Sequence, residues 1–192
     1  MNTTRAHQAT VCNTTPILIA DPRPVVRLGV RTLIASQPDL SILGEAGDCR
    51  TMLSLLSART AGLILLDPEL PDIRGTELLK KLHEAHPDTP IIVFSCQKNS
   101  AYMLEAIRNG ANGYLTKDAE PTHILESIRV VLGGEPYLDP RVATLIVNLL
   151  GNLRDDGRHR EPLLTERERS VLNLLAHGKR NRDISEILFI SE

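Results

Sequence analysis

The chain has 192 residues, 42% hydrophobic and 24% charged, with two Phe, three Tyr and no Trp; at the usual ~100–200 residues per domain that is one domain, or one with a small appendage. The apolar share is too high for a disordered chain, and a net charge of -2 (22 Lys and Arg against 24 Asp and Glu) sets up no field that draws in nucleic acid or membrane. Aromatics at 3% leave no platform on which bases could stack. The longest apolar runs fall far short of the ~20 residues that cross a bilayer. Residues 1–15 lack the apolar centre of a signal peptide. Cys12, Cys49 and Cys96 are odd in number and widely spaced, against a disulfide framework or a zinc site. The sequence reads as a cytoplasmic protein with no membrane partner.

In chain order, apolar runs at Pro16–Ala20, Leu63–Leu66, Ile91–Phe94 and Gly113–Leu115, with a weaker one at Leu40–Leu43, predict five strands. The first, Leu63–Leu66 and Ile91–Phe94 runs are nearly continuous in Ile, Leu and Val, as strands covered on both faces require. Between them Val25, Val26, Val30, Leu33 and Ile34 repeat at helical spacing, as do Met52, Leu55 and Leu56, then Leu78, Leu79 and Leu82. Met103, Leu104 and Ile107, and Ile124, Leu125, Ile128 and Val131, supply two more helices. Strands alternating with helices in this way predict an α/β fold built on a parallel sheet, ending near Gly133-Gly134. Val142, Leu145, Ile146, Leu149 and Leu150 predict one further amphipathic helix. Gly151–Pro162, polar and framed by Gly and Pro, reads as a linker. Thr165 and Glu168 have the spacing of a capping box ahead of Val171, Leu172, Leu174 and Leu175, Gly178 stops that helix, and a second helix carries Ile184, Ile187 and Leu188.

In open parallel α/β sheets ligands bind beyond the carboxyl ends of the strands, where strand order reverses. The residues that follow the runs are Asp21, Asp67, Ser95 and Lys117. In a sheet of flavodoxin-like order 2-1-3-4-5 these four side chains converge. Two carboxylates, a hydroxyl and an ammonium at one point suit a divalent metal and a phosphoryl group. The carboxylates would hold Mg²⁺, one of them would serve as nucleophile, and the hydroxyl and ammonium would stabilise the added oxygens. Each residue alone has an ordinary reading as a turn former or a solvated lysine; it is the set of four that carries the chemistry.

Asp67-Pro68-Glu69-Leu70-Pro71 with Gly75, and Gly113-Tyr114-Leu115-Thr116-Lys117 preceded by Gly110-Ala111, resemble the phosphoacceptor and lysine segments of two-component receiver domains. Arg23-Pro24-Val25-Val26-Arg27 with Gly29, and Gly133-Gly134 leading to Tyr137-Leu138-Asp139-Pro140, resemble the NarL/FixJ subgroup. The resemblance implies a five-stranded, doubly wound receiver sheet in which Asp67 accepts a phosphoryl group from a sensor histidine kinase. It implies that Ser95 is the switch hydroxyl, that Lys117 contacts phosphoryl oxygen, and that Tyr114 is the aromatic switch residue. Mg²⁺ would be held by Asp21, Asp67 and the backbone carbonyl of Glu69. One position departs from the pattern: the second of two adjacent acids, usually a direct Mg²⁺ ligand, is Pro22. Pro22 supplies no carboxylate, and loss of even a supporting partner costs ~10–100-fold in metal affinity or activity. Cys96 reads as a small buried hydrophobe.

Leu164–Arg169 through Ala176, with Gly178, Asn181, Ile184, Leu188, Ile190 and Ser191, is similar to the start of a LuxR-type helix-turn-helix, in which the next helix enters the major groove. The residues from Gly151 onward carry eight Lys and Arg against eight Asp and Glu, without a basic footprint. The expected division is a flexible leader over 1–15, a receiver over 16–135, a linker helix and linker over 136–162, and over 163–192 an all-α, incomplete helix-turn-helix lacking its recognition helix. The resulting expectation is a response regulator, not an enzyme, acting as a homodimer on promoter DNA in a full-length form, with DNA binding by this chain weak or absent and no DNA-reading residue assigned. The alternative is an interaction module that works with little or no phosphorylation and does not bind DNA. A phosphohydrolase using Asp67 is a third reading, opposed by Glu69 where such enzymes carry a second Asp.

Overall fold

The structure, a computed structural model, describes residues 14–72 and 75–155 together with the helical residues Ser170 and Leu174. The leader before residue 14, and the linker and helix-turn-helix expected after residue 155, otherwise lie outside the described residues.

The chain alternates strand and helix: β1 (Thr15–Ala20), α1 (Pro24–Ala35), β2 (Leu40–Ala46), α2 (Cys49–Ala58), β3 (Leu63–Leu66), α3 (Thr76–Ala85), β4 (Ile91–Ser95), α4 (Ser100–Arg108), β5 (Gly113–Thr116), α5 (Pro121–Leu132), β6 (Tyr137–Leu138) and α6 (Pro140–Asp155). All strands are parallel, in the order β2-β1-β3-β4-β5-β6. The expected 2-1-3-4-5 order is present, and the expected count of five is corrected to six. β6 is a two-residue edge strand held by Tyr137 N–H on Asn112 O (3.0 Å) and Asp139 N–H on Tyr114 O (3.2 Å). Two residues are too few to show an alternating pattern, so nothing in the sequence marks them as a strand.

Successive strand side chains point to opposite faces, and both faces here are covered. Ile17, Ile19, Leu63, Leu65, Ile92 and Phe94 pack with Val30 and Ile34 of α1 and Ile124, Ile128 and Val131 of α5. Leu18, Ala20, Ile64, Leu66, Ile91 and Val93 pack with Met52 of α2, Leu78, Leu79 and Leu82 of α3, and Met103 and Ala106 of α4. That two-sided burial is why the β1, β3 and β4 runs are apolar throughout. Local chemistry sets the helix boundaries. The Asp48 carboxylate accepts from Thr51 N–H (2.7 Å) at the start of α2, and Asn99 Oδ1 accepts from Ala101 N–H (2.9 Å) at the start of α4. Pro24 and Pro121 occupy the first turns of α1 and α5, where no amide donor is needed. Beyond α4, Gly110 has φ +98°, and a Cβ there would lie 2.6 Å from the His83 ring, so two constraints select glycine.

The helix expected after Pro140 is present as α6, and its first turns belong to the core. Val142 and Ile146 are fully buried in the α2–α3–α4 layer, and Leu145 packs against it. The side chains of Leu149 and Leu150 lie outside the described set. Ile146→Ala is expected to lower stability by about 2–5 kcal/mol, the range for deleting a buried aliphatic side chain, as read from the urea unfolding midpoint. A change within about 0.5 kcal/mol, typical of a surface site, would mean that α6 is not docked.

Candidate functional site

Three of the four strand-end residues are fixed by the sheet itself. Asp21 N–H donates to Ala46 O of β2 (3.0 Å), Asp67 N–H to Ala20 O of β1 (2.7 Å), and Lys117 N–H to Ser95 O of β4 (3.0 Å). Each backbone bond continues the ladder one step beyond its strand, so Asp21, Asp67 and Lys117 emerge at the same edge. Ser95, the last residue of β4, is fully buried beside them.

The Lys117 ammonium bonds at once to Asp21 Oδ2 and Asp67 Oδ2. All three side chains are at most 6% exposed. Burying an unpaired charge is costly, and one ammonium shared by two carboxylates offsets that cost for both. The other carboxylate oxygens are engaged by backbone amides: Asp21 Oδ1 accepts from Arg23 N–H (2.8 Å), and Asp67 Oδ1 from Glu69 N–H (3.0 Å). A second cation stands at the mouth, with Arg23 Nη2 3.8 Å from Asp67 Oδ2. Arg27 Nη1 donates to the Asp21 carbonyl (2.7 Å), while Arg27 Nε pairs with Glu45 (3.6 Å).

Ser95 and Tyr114 are joined through one residue. Ser95 Oγ accepts from Gln97 N–H (3.2 Å), and the Tyr114 hydroxyl donates to Gln97 O (3.1 Å). The Gln97 side chain donates to Glu69 Oε1 (2.8 Å). The Glu69 side chain is thus turned to Gln97, and its amide is what meets Asp67. Tyr114 lies wholly inside the protein, and Tyr102 of α4 buries its hydroxyl without a hydrogen-bond partner among the described residues.

The expectation for Cys96 is corrected: it is exposed, and its Sγ accepts from Arg23 Nη1 at 3.0 Å. β4 ends at Ser95, so Cys96 has left the strand and no helix covers it. Arg23, Gln97 and Tyr102 were not singled out as site residues from sequence. Arg23 had one available signal, its place two residues after a strand-end aspartate. Gln97 and Tyr102 had none.

The residues do not fit a tight Mg²⁺ site. Mg²⁺ needs oxygen ligands at near-octahedral positions, but Pro22 supplies no carboxylate and every oxygen of Asp21 and Asp67 already takes a donor of the protein. Among the described residues no group of three or more His, Cys, Asp or Glu could hold a metal ion.

Burial holds the proton on all three tyrosines of the chain. Tyr102 is pushed up to about 12, chiefly by desolvation and then by Glu69 and Asp67, and Tyr114 and Tyr137 are raised for the same first reason. A phenol that binds its proton more tightly in the folded chain contributes stability that is whole below the unfolded pKa of about 10 and is lost as pH rises through the folded value. The expected result is little tyrosinate absorbance at pH values near 10.5 in the native protein and a steep, cooperative gain towards pH 12, together with unfolding. Smooth titration of three tyrosines around pH ~10 would contradict this burial.

Residues 17–129 match the response regulator receiver domain family, and residues 162–192 match the bacterial regulatory proteins of the luxR family. The chain is 36% identical over 179 residues to the uncharacterized transcriptional regulatory protein YxjL of Bacillus subtilis, covering 92% of this chain and 82% of that one. It is 35% identical over 176 residues to the nitrate/nitrite response regulator protein NarL of Escherichia coli K12, with the same coverage. In structure it is similar to a LuxR-family two-component response regulator from Aurantimonas sp. SI85-9A1, with a TM-score of 0.67 and 29% identity over 71% of this chain and 97% of that one. With both family segments matched in order, the alternative of an interaction module that works with little or no phosphorylation and does not bind DNA is not favoured. The chain belongs to the two-component response regulators that join a receiver domain to a LuxR-type helix-turn-helix and regulate transcription.

Proposed function

We propose that Asp67 is the phosphoacceptor of this regulator and that a sensor histidine kinase is the donor. The observation that carries this reading is the Lys117 ammonium bonded to both buried carboxylates at the carboxyl edge of the sheet. With Asp67 Oδ1 held by the Glu69 amide, Oδ2 is the oxygen that attacks phosphorus. The phosphorus–nitrogen bond of the kinase phosphohistidine breaks, its electron pair stays on the imidazole, and an acyl phosphate forms. Lys117 then exchanges a carboxylate oxygen for a phosphoryl oxygen, and Ser95 Oγ turns to donate to another.

That turn removes the acceptor from Gln97 N–H, while Gln97 O holds Tyr114. Movement of Ser95 is therefore transmitted through Gln97 to Tyr114 and to the α4 surface beside it. A coupling on the order of 1–3 kcal/mol is usual for such switches. Receiver domains in general bind Mg²⁺ at this place; the step above draws only on protein groups, because the donor set here suits the ion poorly.

The chain is read as a regulator without enzymatic turnover, with a receiver over 16–135, a linker helix and linker over 136–162, and a helix-turn-helix segment from 163 that serves promoter DNA. Val25 and Leu28 stand exposed three residues apart on α1, which supports a homodimer formed through that face. No helix of the described residues is long and apolar enough to cross a membrane, and a cytoplasmic location is proposed with the rest.

Incubation with acetyl phosphate and Mg²⁺ followed by intact-mass measurement tests the acceptor. The expected result is one added phosphoryl group in the parent and none in Asp67→Ala. Equal labelling of the two proteins would remove Asp67 from the role.

A further inference from the structure

We propose that Arg23 is a phosphoryl-binding residue that takes the place of the divalent cation at this site, so that Asp67 is phosphorylated with little dependence on Mg²⁺. The inference rests on Asp67 being the acceptor and names the group that neutralises the charge arriving there.

Three observations support it. Pro22 stands where a second carboxylate would recruit a metal, and the next residue brings a fixed positive charge instead. The guanidinium lies across the mouth of the site, tied to Cys96 Sγ on one side (3.0 Å) and 3.8 Å from Asp67 Oδ2 on the other. Its side chain is 44% exposed and Asp67 is fully covered, so Arg23 stands on the solvent side from which a phosphodonor must approach. A phosphoryl group added to Oδ2 would bring oxygens within reach of the planar N–H fork, a geometry that suits phosphate and carries charge at every working pH.

The sequence also fixes this residue in place. Arg23 lies between Pro22 and Pro24, and a residue before proline is driven to extended backbone. Arg23 has φ −90° and ψ 115°, and its amide is bonded to Asp21 Oδ1. Little backbone freedom remains to be lost when the phosphoryl group arrives.

In the reaction with acetyl phosphate, Asp67 Oδ2 attacks phosphorus, the bond from phosphorus to the acetyl oxygen breaks, and acetate leaves with the electron pair. No proton or redox partner is required. Lys117 and Arg23 together face the equatorial oxygens, where preorganised positive charge lowers the barrier.

The test is the rate of phosphoryl-mass gain with acetyl phosphate, in Mg²⁺ and in chelator, for the parent, Arg23→Ala, Arg23→Lys, Pro22→Asp and Asp67→Ala. The parent is expected to label at rates within about threefold in the two conditions, and Arg23→Ala to lose on the order of a hundredfold in chelator, the lower end of the scale for deleting one charge-stabilising donor. Arg23→Lys, which keeps the charge but not the planar fork, should recover only part of that loss, with unchanged unfolding midpoints showing that the fold is intact. Pro22→Asp should make labelling faster in Mg²⁺ than in chelator by about tenfold. Labelling of the parent only in Mg²⁺, or equal rates for parent and Arg23→Ala in chelator, would overturn the role of Arg23 and leave Asp67 as acceptor. No labelling of the parent in either condition would overturn both.

Discussion

One ammonium group between two buried carboxylates is the interaction on which the rest of this molecule depends. Lys117 comes from the end of β5, and Asp21 and Asp67 from the ends of β1 and β3. Parallel pairing brings the carboxyl ends of neighbouring strands to one edge, and the two apolar layers press that sheet from both sides. The charges are almost fully covered, so without the lysine Asp21 would be an uncompensated buried charge and Asp67 would keep only Arg23 at 3.8 Å. The fold places the triad, and the triad in turn holds together the three loops that follow β1, β3 and β5.

Around the triad the remaining groups divide by distance from solvent. Ser95, Gln97 and Tyr114 form an inner chain of hydrogen bonds leading from the strand-end site into the body beside α4. Arg23 and Cys96 form the outer rim. Asp118, one residue past Lys117, pairs with Lys98 (2.7 Å) and with Arg141 of α6 (3.6 Å). The Lys98 ammonium holds the Asp118 carboxyl down to about 2. The loop after β4, the end of β5 and the start of α6 are therefore tied together on the face where α6 packs on α4, so a rearrangement at Ser95 has a short route to the segment that leads to the DNA-binding region of the family.

Much of this was legible in the residues. Continuous Ile, Leu and Val runs marked β1, β3 and β4, since strands covered on both faces have no polar side to display. The residues after each run named the site, because the carboxyl edge of a parallel sheet is where such side chains meet. The missed features depend on contacts far apart in sequence. β6 is too short for any period. Cys96 is expected inside as a small residue beside Ser95, but it lies one step past the end of β4 and is exposed. Arg23 and Cys96 are 73 residues apart, and only the folded sheet brings them together. The side chain of Glu69 turns to Gln97, 28 residues on, which no local pattern predicts.

The central claim is that Lys117 and Asp67 depend on each other inside the fold, and a double-mutant cycle in urea unfolding tests it most directly. Lys117→Met alone is expected to cost about 3–5 kcal/mol, because it leaves buried Asp21 without a cation and Asp67 with only the longer Arg23 contact. Adding Asp67→Asn should recover part of that loss, giving a coupling on the order of 1–3 kcal/mol. Two effects that simply add, within about 0.5 kcal/mol, would mean that the residues do not interact in solution and would contradict the account.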